Sequence, residues 1–293
     1  MSTSQDPLRP PRSTLPYDPR AEYRRKLGVL GSLGRSAIGT ARSAVELFGT
    51  LGLAVASLGS PGAGARRLVR AITFSQILFT GVQAVGLVSA IGLLIGATLV
   101  IQTSLIVPAA DGELLGKILV AVVLRELSPL VTAIIVAGRS GTAIATELGN
   151  MKVHQEVLAL IALGVDPPRF VVLPRLIATV LSVVALMVYF SVVSVVATAT
   201  IANVVLGASP LDLRAGISRA LLPFDLVLFV AKGAGLGTIV GWVACHYGLS
   251  VKSSPTEVPQ KASAAVVRIL LGCVAYDTGL TALFYWLVAR PPY

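Results

Sequence analysis

The chain has 293 residues, of which 55% are hydrophobic and only 13% are charged, and its formal net charge is +10. Soluble domains carry about 25% charged residues, so this composition, with a mean hydropathy of +0.82, excludes an ordinary soluble domain. It predicts an all-α membrane protein with about five spans of roughly 20 residues each. Nucleic-acid binding is not expected, because the basic residues cluster beside apolar runs and in the N-terminal region.

The first 60 residues divide into two segments of different composition. Residues 1–33 contain five prolines and the basic run Arg24-Arg25-Lys26, which is typical of a disordered tail. Residues 34–60 repeat apolar side chains at spacings of three and four, from Ile38 to Val55, with charges on another face. This periodicity predicts an amphipathic helix lying in the membrane interface. The remainder, residues 64–290, is predicted to form one membrane domain.

Apolar runs in that domain predict five transmembrane helices. No charged residue occurs from Ala71 to Ala110, and this run is interpreted as an interfacial approach followed by one span at about residues 82–106. The other spans are predicted at about residues 114–136, within 176–211, at about 226–245 and at about 266–289. Eighteen of the 24 Lys and Arg residues fall on one side of this arrangement. The positive-inside rule therefore predicts a cytoplasmic N-terminus.

Signatures of catalysis and of nucleotide binding are not found in the sequence. The stretch from Gly28 to Ser36 has the wrong glycine spacing for a phosphate-binding loop and lacks its lysine. The glycines from Gly233 to Gly241 lie in an apolar run, where close helix packing explains them better than a dinucleotide loop does. The two cysteines and two histidines lack ligand spacing. The sequence therefore predicts neither an enzyme nor a metal site.

Four ionisable residues fall within predicted spans, namely Arg125, Glu126, Lys232 and Asp277. Charges at that depth are costly and usually have a purpose. The adjacent Arg125 and Glu126 diverge by about 100° on a helix and cannot simply neutralise each other. Pro129 also removes the hydrogen bond that the Arg125 carbonyl would accept, which predicts a kink with a free carbonyl. Two interpretations stay open: a structural ion-pair network between spans, with Lys232 and Asp277 as partners, or a polar gate that contacts lipid headgroups.

Three blocks of the sequence resemble the signatures of a known family. They are LRELSPLV (124–131), AGRSGTAIATELGNMKV (137–153) and LGVDPPRFVVLPR (163–175). These blocks look like those of the MlaE (YrbE) permease family, the membrane subunits of bacterial ABC transporters that move phospholipids or related lipids together with MCE proteins. The resemblance covers roughly residues 34 to 290.

The resemblance implies a set of partners and a location. A separate cytoplasmic ABC ATPase would bind ATP, so no cofactor is expected in this chain. The permease would be a dimer in the bacterial inner membrane, with lipid in a cavity at the dimer interface. An MCE-domain protein would cap the periplasmic side, and a STAS-domain subunit is a further candidate partner.

The resemblance also assigns roles to particular residues. The segment from Lys152 to Leu163 corresponds to the coupling helix that sits on the ATPase, and Asp277 corresponds to an acidic residue of the last span. The candidate coupling residues are Glu147, Lys152, Glu156, Val157, Leu158, Leu160, Ile161 and Asp166, and the candidate lipid-path residues are Arg125, Glu126, Lys232 and Asp277. Several positions depart from the family pattern. Ser128 replaces a usual glycine, Gln155 and Leu158 replace usual acidic residues, and Glu257-Val258-Pro259 replaces a usual GVG element.

Two other functional classes remain open at this point. An ATP-independent secondary transporter or channel would use Glu126, Lys232 and Asp277 as an ion or proton relay. A membrane scaffold without transport activity is the third possibility.

Overall fold

The structure is a computed structural model that describes residues 63–106, 112–165, 167–252 and 254–288. These residues form helices and contain no strand, which confirms the predicted all-α class. The α-helices are Ala63–Thr80, Val85–Ile106, Gly112–Ile118, Ser128–Val136, Thr142–Val153, Glu156–Ala162, Leu173–Leu206, Pro210–Ala220, Pro223–Leu249 and Glu257–Val288. Val82–Ala84 is a 3-10 turn, and Leu119–Leu127, Ala137–Gly141 and Pro168–Val172 are π-helical. The predicted tail (1–33) and interfacial helix (34–60) lie outside the described residues.

Five helical stretches of the described chain are long and apolar enough to cross a membrane, as predicted. In chain order the spans are Arg70–Ile106, Gly112–Val153, Phe170–Leu206, Pro223–Leu249 and Glu257–Trp286. The long charge-free run therefore contributes one span, interrupted only by the 3-10 turn. These five stretches are called the first to fifth spans below.

The second span is much longer than the sequence predicted. Its expected end was near Val136, but π-helical turns at Ala137–Gly141 continue it into the helix Thr142–Val153. Arg139 and Glu147, which the sequence placed in a loop, lie on this continuation. The span contains 42 residues, about 63 Å of helix, whereas the hydrocarbon core is about 30 Å thick. One end of the second span therefore projects beyond the membrane.

Two short helices mark the opposite ends of the bundle. Glu156–Ala162, the short helix, follows the second span, and Pro210–Ala220, the loop helix, joins the third span to the fourth. The third span ends at Gly207, whose φ of 63° is the left-handed geometry that often terminates helices. The two ends are called the short-helix end and the loop-helix end.

The third span lies at the centre of the bundle and packs against both the first and the fourth spans. Glycines permit these close approaches. A side-chain carbon on Gly237 would lie 2.6 Å from the Cα of Val180, and one on Gly96 would lie 2.7 Å from the Cβ of Ala197. The glycines of the fourth span therefore serve helix packing, as interpreted from the sequence. The fifth span, by contrast, leaves large apolar side chains such as Leu271 exposed.

Candidate functional site

The structure brings the four ionisable residues of the predicted spans into one buried cluster. Lys232 is only 1% exposed. Its Nζ lies 3.0 Å from Oδ1 of Asp277 and 3.2 Å from Oε2 of Glu126. The second, fourth and fifth spans each contribute to this contact. The sequence left Glu126 and Asp277 as alternative partners of Lys232, and the structure places both beside it.

Pro129 explains a third contact of Lys232. Proline has no backbone N–H, so the carbonyl of Arg125, four residues earlier, lacks its α-helical donor. Lys232 Nζ donates to this carbonyl at 2.7 Å. The helix is π-helical up to Leu127, and Ser128 N donates to Val123 O. The free carbonyl predicted from Pro129 thus becomes a ligand for the buried ammonium group.

Arg125 and Glu126 point to different partners, as expected for adjacent residues on a helix. Arg125 Nη2 donates to Oδ2 of Asp225 at 2.8 Å and to the carbonyl of Ala220 at 3.1 Å. Glu126 accepts a hydrogen bond from Thr281 Oγ1 at 3.1 Å as well as facing Lys232. The cluster therefore contains two cations and three carboxylates, and Glu126 is the most exposed of those carboxylates, at 34%.

Asp225 and Thr281 were not found by sequence reasoning. The fourth span was expected to begin at about Leu226, so Asp225 was left outside the membrane segment. In the structure Asp225 Oδ2 also accepts from the backbone N–H of Leu222 at 2.8 Å, which caps the start of this span. The signal was present in the sequence, since Pro223 followed by an acidic residue is typical of a helix N-terminus.

A cavity of about 570 Å³ adjoins the cluster between the second, third and fourth spans. Its polar wall includes Arg125, Asp225 and Lys232. The remaining walls are mainly apolar and include Leu124, Val188, Val192, Leu222 and Phe229. An apolar cavity with a few charged groups on one side has the chemistry needed to hold an amphiphile.

Ser128, where the sequence departs from the family pattern, anchors the second span to the third. Its Oγ donates to the carbonyl of Met187 at 3.0 Å and lies 3.0 Å from Oγ of Ser191. Ser191 also lines the cavity. The serine therefore adds a polar link between two spans beside the cavity.

A second candidate region lies at the short-helix end. Arg175 Nη2 contacts Oε1 of Glu147 at 2.7 Å, and Arg175 Nη1 donates to the carbonyl of Val171 at 2.8 Å. This pair fastens the projecting part of the second span to the start of the third. A groove of about 890 Å³ beside it is lined by residues that include Glu156 and Leu160.

The short helix separates its apolar side chains into two groups. Leu158 and Ile161 are 60% and 54% exposed, whereas Val157 is only 6% exposed. Leu160 packs against the core of the bundle. Val157 and Leu160 therefore lie on the side of the helix that faces the protein. Leu158 and Ile161 form the surface open to a partner. Lys152 and Glu156 are exposed beside it, and Asp166 lies outside the described residues.

No group of His, Cys, Asp and Glu suitable for a metal occurs within the described ranges. Cys245 and Cys273 are both buried and are not joined in a disulfide. The contacts described for the charged cluster are ion pairs and hydrogen bonds.

Fold and site together define a multi-pass helical membrane protein that carries buried charges beside an apolar cavity. The sequence model of the family described as Permease MlaE matches residues 73–283. The chain belongs to the MlaE permease family.

Individual relatives agree with this assignment. The chain is 25% identical over 260 residues to a probable ABC transporter permease protein of Rickettsia felis, covering 88% of this chain and 98% of that protein. It is 27% identical over 212 residues to the intermembrane phospholipid transport system permease protein MlaE of Haemophilus influenzae, covering 72% and 81%. It is 33% identical over 171 residues to the chloroplastic protein TRIGALACTOSYLDIACYLGLYCEROL 1 of Arabidopsis thaliana, covering 58% of this chain and 49%, about half, of that protein.

Proposed function

We propose that this chain is the permease subunit of an ABC transporter that moves phospholipids or related lipids. Transport would run between the bacterial inner membrane and a periplasmic MCE protein, with ATP hydrolysed by a separate cytoplasmic subunit. A second permease copy would complete the membrane part. The short-helix end would face the cytoplasm, which agrees with the distribution of Lys and Arg residues.

The observation that carries this proposal is the apolar cavity beside the buried charges. A phospholipid has a charged headgroup and apolar chains, and the cavity offers charged groups on one wall and apolar side chains on the others. Charged groups inside a membrane domain usually mark the path of a substrate. The name of the Haemophilus relative, which specifies intermembrane phospholipid transport, supports the same substrate class.

The exposed apolar side chains of the short helix support coupling to an ATPase. Leu158 and Ile161 stand on a solvent-facing helix, and apolar side chains in such a position are typical of an interaction surface. The Arg175–Glu147 pair connects this region to the second and third spans. Movement of a docked ATPase would therefore reach the spans that line the cavity.

An ATP-independent secondary transporter is the alternative, and the buried set of Glu126, Lys232 and Asp277 favours it, because such sets act as ion relays in other transporters. Reconstitution would decide between the two. The chain would be placed in liposomes with an ATPase and an MCE-domain protein from the same genome, and transfer of a fluorescent phospholipid to the MCE protein would be followed.

We expect transfer with ATP and none with a non-hydrolysable ATP analogue. Transfer driven by an ion gradient without ATP would support the alternative. Failure to transfer any lipid under either condition, with all subunits assembled, would contradict both.

A further inference from the structure

Arg139 differs in its contacts from three other basic residues of the spans. Arg125, Arg175 and Lys232 each contact a carboxylate at 2.7–3.2 Å. No carboxylate in the described part of the chain pairs with Arg139. A guanidinium group stays charged at all relevant pH values, so an anion from outside the described residues can pair with it.

The guanidinium of Arg139 is nevertheless held in place. Its Nη2 donates to the side-chain oxygen of Gln83, and its central carbon lies 5.6 Å from the centre of the Phe79 ring. Its Nη1 is buried and has no hydrogen-bond partner among the described residues, so Nη2 and Nε are the donors nearer the surface. Gln83 lies in the 3-10 turn Val82–Ala84 that interrupts the first span. The interruption thus places an amide group where it orients a charged side chain of the second span.

The position of Arg139 along its span matches the depth of lipid headgroups. Arg139 follows Lys117 by 22 residues, which corresponds to about 33 Å of helix and to a hydrocarbon core of about 30 Å. Lys117 lies at the loop-helix end in an exposed ion pair with Glu113. The spacing of the two basic residues therefore matches the thickness of one hydrocarbon layer.

The fifth span supports this depth. A side-chain carbon on Gly141 would lie 3.1 Å from Cδ1 of Ile269, so Arg139 and Arg268 occupy nearly the same level. Arg268 is exposed and lies over the ring of Tyr247, at 5.9 Å from its centre. Basic and aromatic side chains at one level are typical of a membrane–water interface.

We propose that Arg139, oriented by Gln83 and Phe79, binds the headgroup phosphate of an anionic phospholipid in the leaflet at the short-helix end. Guanidinium groups suit phosphate because they present several N–H donors in one plane. Phe79, whose ring faces the guanidinium, and Val82, next to Gln83, are exposed and apolar, so they can contact acyl chains. The site is separate from the buried cluster, since Glu126 lies 13 residues deeper, about 20 Å along the helix.

Lipid binding to the purified full chain tests the proposal. The protein would be delipidated in detergent and titrated with phosphatidylglycerol or with phosphatidylcholine, and bound lipid would be counted by native mass spectrometry. Arg139→Gln should weaken phosphatidylglycerol binding about fivefold, since one basic residue near an anionic surface contributes about 1 kcal/mol. Phosphatidylcholine has the same phosphate, but its own choline cation compensates the charge, so its binding should change less than twofold.

Three further variants keep the result interpretable. Arg219→Gln removes the same charge from an exposed residue at the loop-helix end and should leave binding unchanged. Gln83→Leu keeps the charge but removes its orienting contact, and it should weaken phosphatidylglycerol binding less than Arg139→Gln does. Arg139→Lys should restore part of the binding, which separates loss of the charge from loss of the fold.

Two results would overturn the proposal. One is an equal loss in Arg139→Gln and Arg219→Gln, because the effect would then be general attraction between the protein and anionic lipid. The other is a change of oligomeric state in Arg139→Gln with unchanged lipid binding, which would assign Arg139 to a contact between protein chains.

Discussion

Lys232 is the residue around which the buried cluster is organised, because a single ammonium group faces three acceptors. Asp277, Glu126 and the carbonyl of Arg125 come from three positions on two other spans. Without the cation, the two carboxylates would lose their counter-charge and the carbonyl would lose its hydrogen-bond donor. Arg125 likewise donates hydrogen bonds to Asp225 and to the carbonyl of Ala220, near the start of the fourth span. The two cations thus connect the second span to the fourth and fifth.

Substitutions at Lys232 and Asp277 should therefore be strongly coupled. Lys232→Met leaves Asp277 and Glu126 close together without a cation, and we expect it to destabilise the protein by about 3–5 kcal/mol. Asp277→Asn should cost less, because Glu126 remains beside Lys232. The double variant should be more stable than Lys232→Met alone. Unfolding in detergent, followed by denaturant titration, measures all three, and simple addition of the two losses would show that the residues are not partners.

The double variant also separates the two interpretations of the cluster. If it is stable and transports lipid, the charges serve only the packing of spans. If it is stable but inactive in the reconstituted assay, the charges belong to the lipid path. Ion pairs in a low-dielectric interior can be replaced by apolar residues without loss of stability, so the comparison is practicable.

Asp225 should show two separable contributions to stability. Asp225→Asn removes the charge that faces Arg125 but keeps an oxygen that can accept from the N–H of Leu222. Asp225→Ala removes both interactions. We expect the alanine variant to be less stable than the asparagine variant by about 0.5–2 kcal/mol, the usual contribution of a helix cap. Equal melting temperatures for the two variants would show that the cap contributes nothing.

Among the elements, the spans were largely predictable, whereas their lengths were not. Charge-free runs locate the spans because a charge in the hydrocarbon core is costly. The same reasoning ended the second span too early, since Arg139, Glu147 and Lys152 indicated a loop. They lie on a continuation of this helix that reaches beyond the length of the hydrocarbon core, where charges are less costly. Cross-span partners such as Thr281 were missed because sequence spacing does not reveal which faces of distant helices meet.

The short helix should contribute to ATPase binding through its exposed side chains alone. Leu158→Asp places a charge on the surface open to a partner and should weaken ATPase association about tenfold, as expected for a central apolar contact. Leu211→Asp is a matched control, because Leu211 is 73% exposed on the loop helix at the opposite end. Pull-down of the ATPase with each variant measures the effect. Equal recovery of the ATPase by both variants would show that the short helix is not part of the ATPase interface.

At the scale of the whole molecule, the buried interior lies around the third span, and the surfaces of the first and fifth spans remain apolar and exposed. Phe74 and Leu94 on the first span and Leu271 on the fifth illustrate this. Such surfaces suit contact with acyl chains or with another membrane helix. The described membrane domain thus has a well-buried interior, and much of its outer surface is apolar.

The N-terminal 33 residues should be dispensable for the membrane domain. Their composition of prolines and charged residues predicts that they bury little apolar surface. Deleting residues 1–33 should therefore leave membrane yield and lipid transfer within about twofold of the full chain. The yield is measured by extraction from membranes and transfer by the reconstituted assay. A deletion variant that inserts normally but transfers no lipid would assign a specific role to this segment.

The length of the second span has a mechanical consequence. Val153, at the short-helix end, is separated from Glu126 by 27 residues, about 40 Å of nearly continuous helix. The part of the span beyond Arg139 projects into water, and we expect the span to tilt about the headgroup level near Arg139. A tilt of about 5° about that point would displace Glu126 by roughly 2 Å, enough to break a hydrogen bond. A small displacement of the projecting part of the second span would therefore shift Glu126 relative to Lys232.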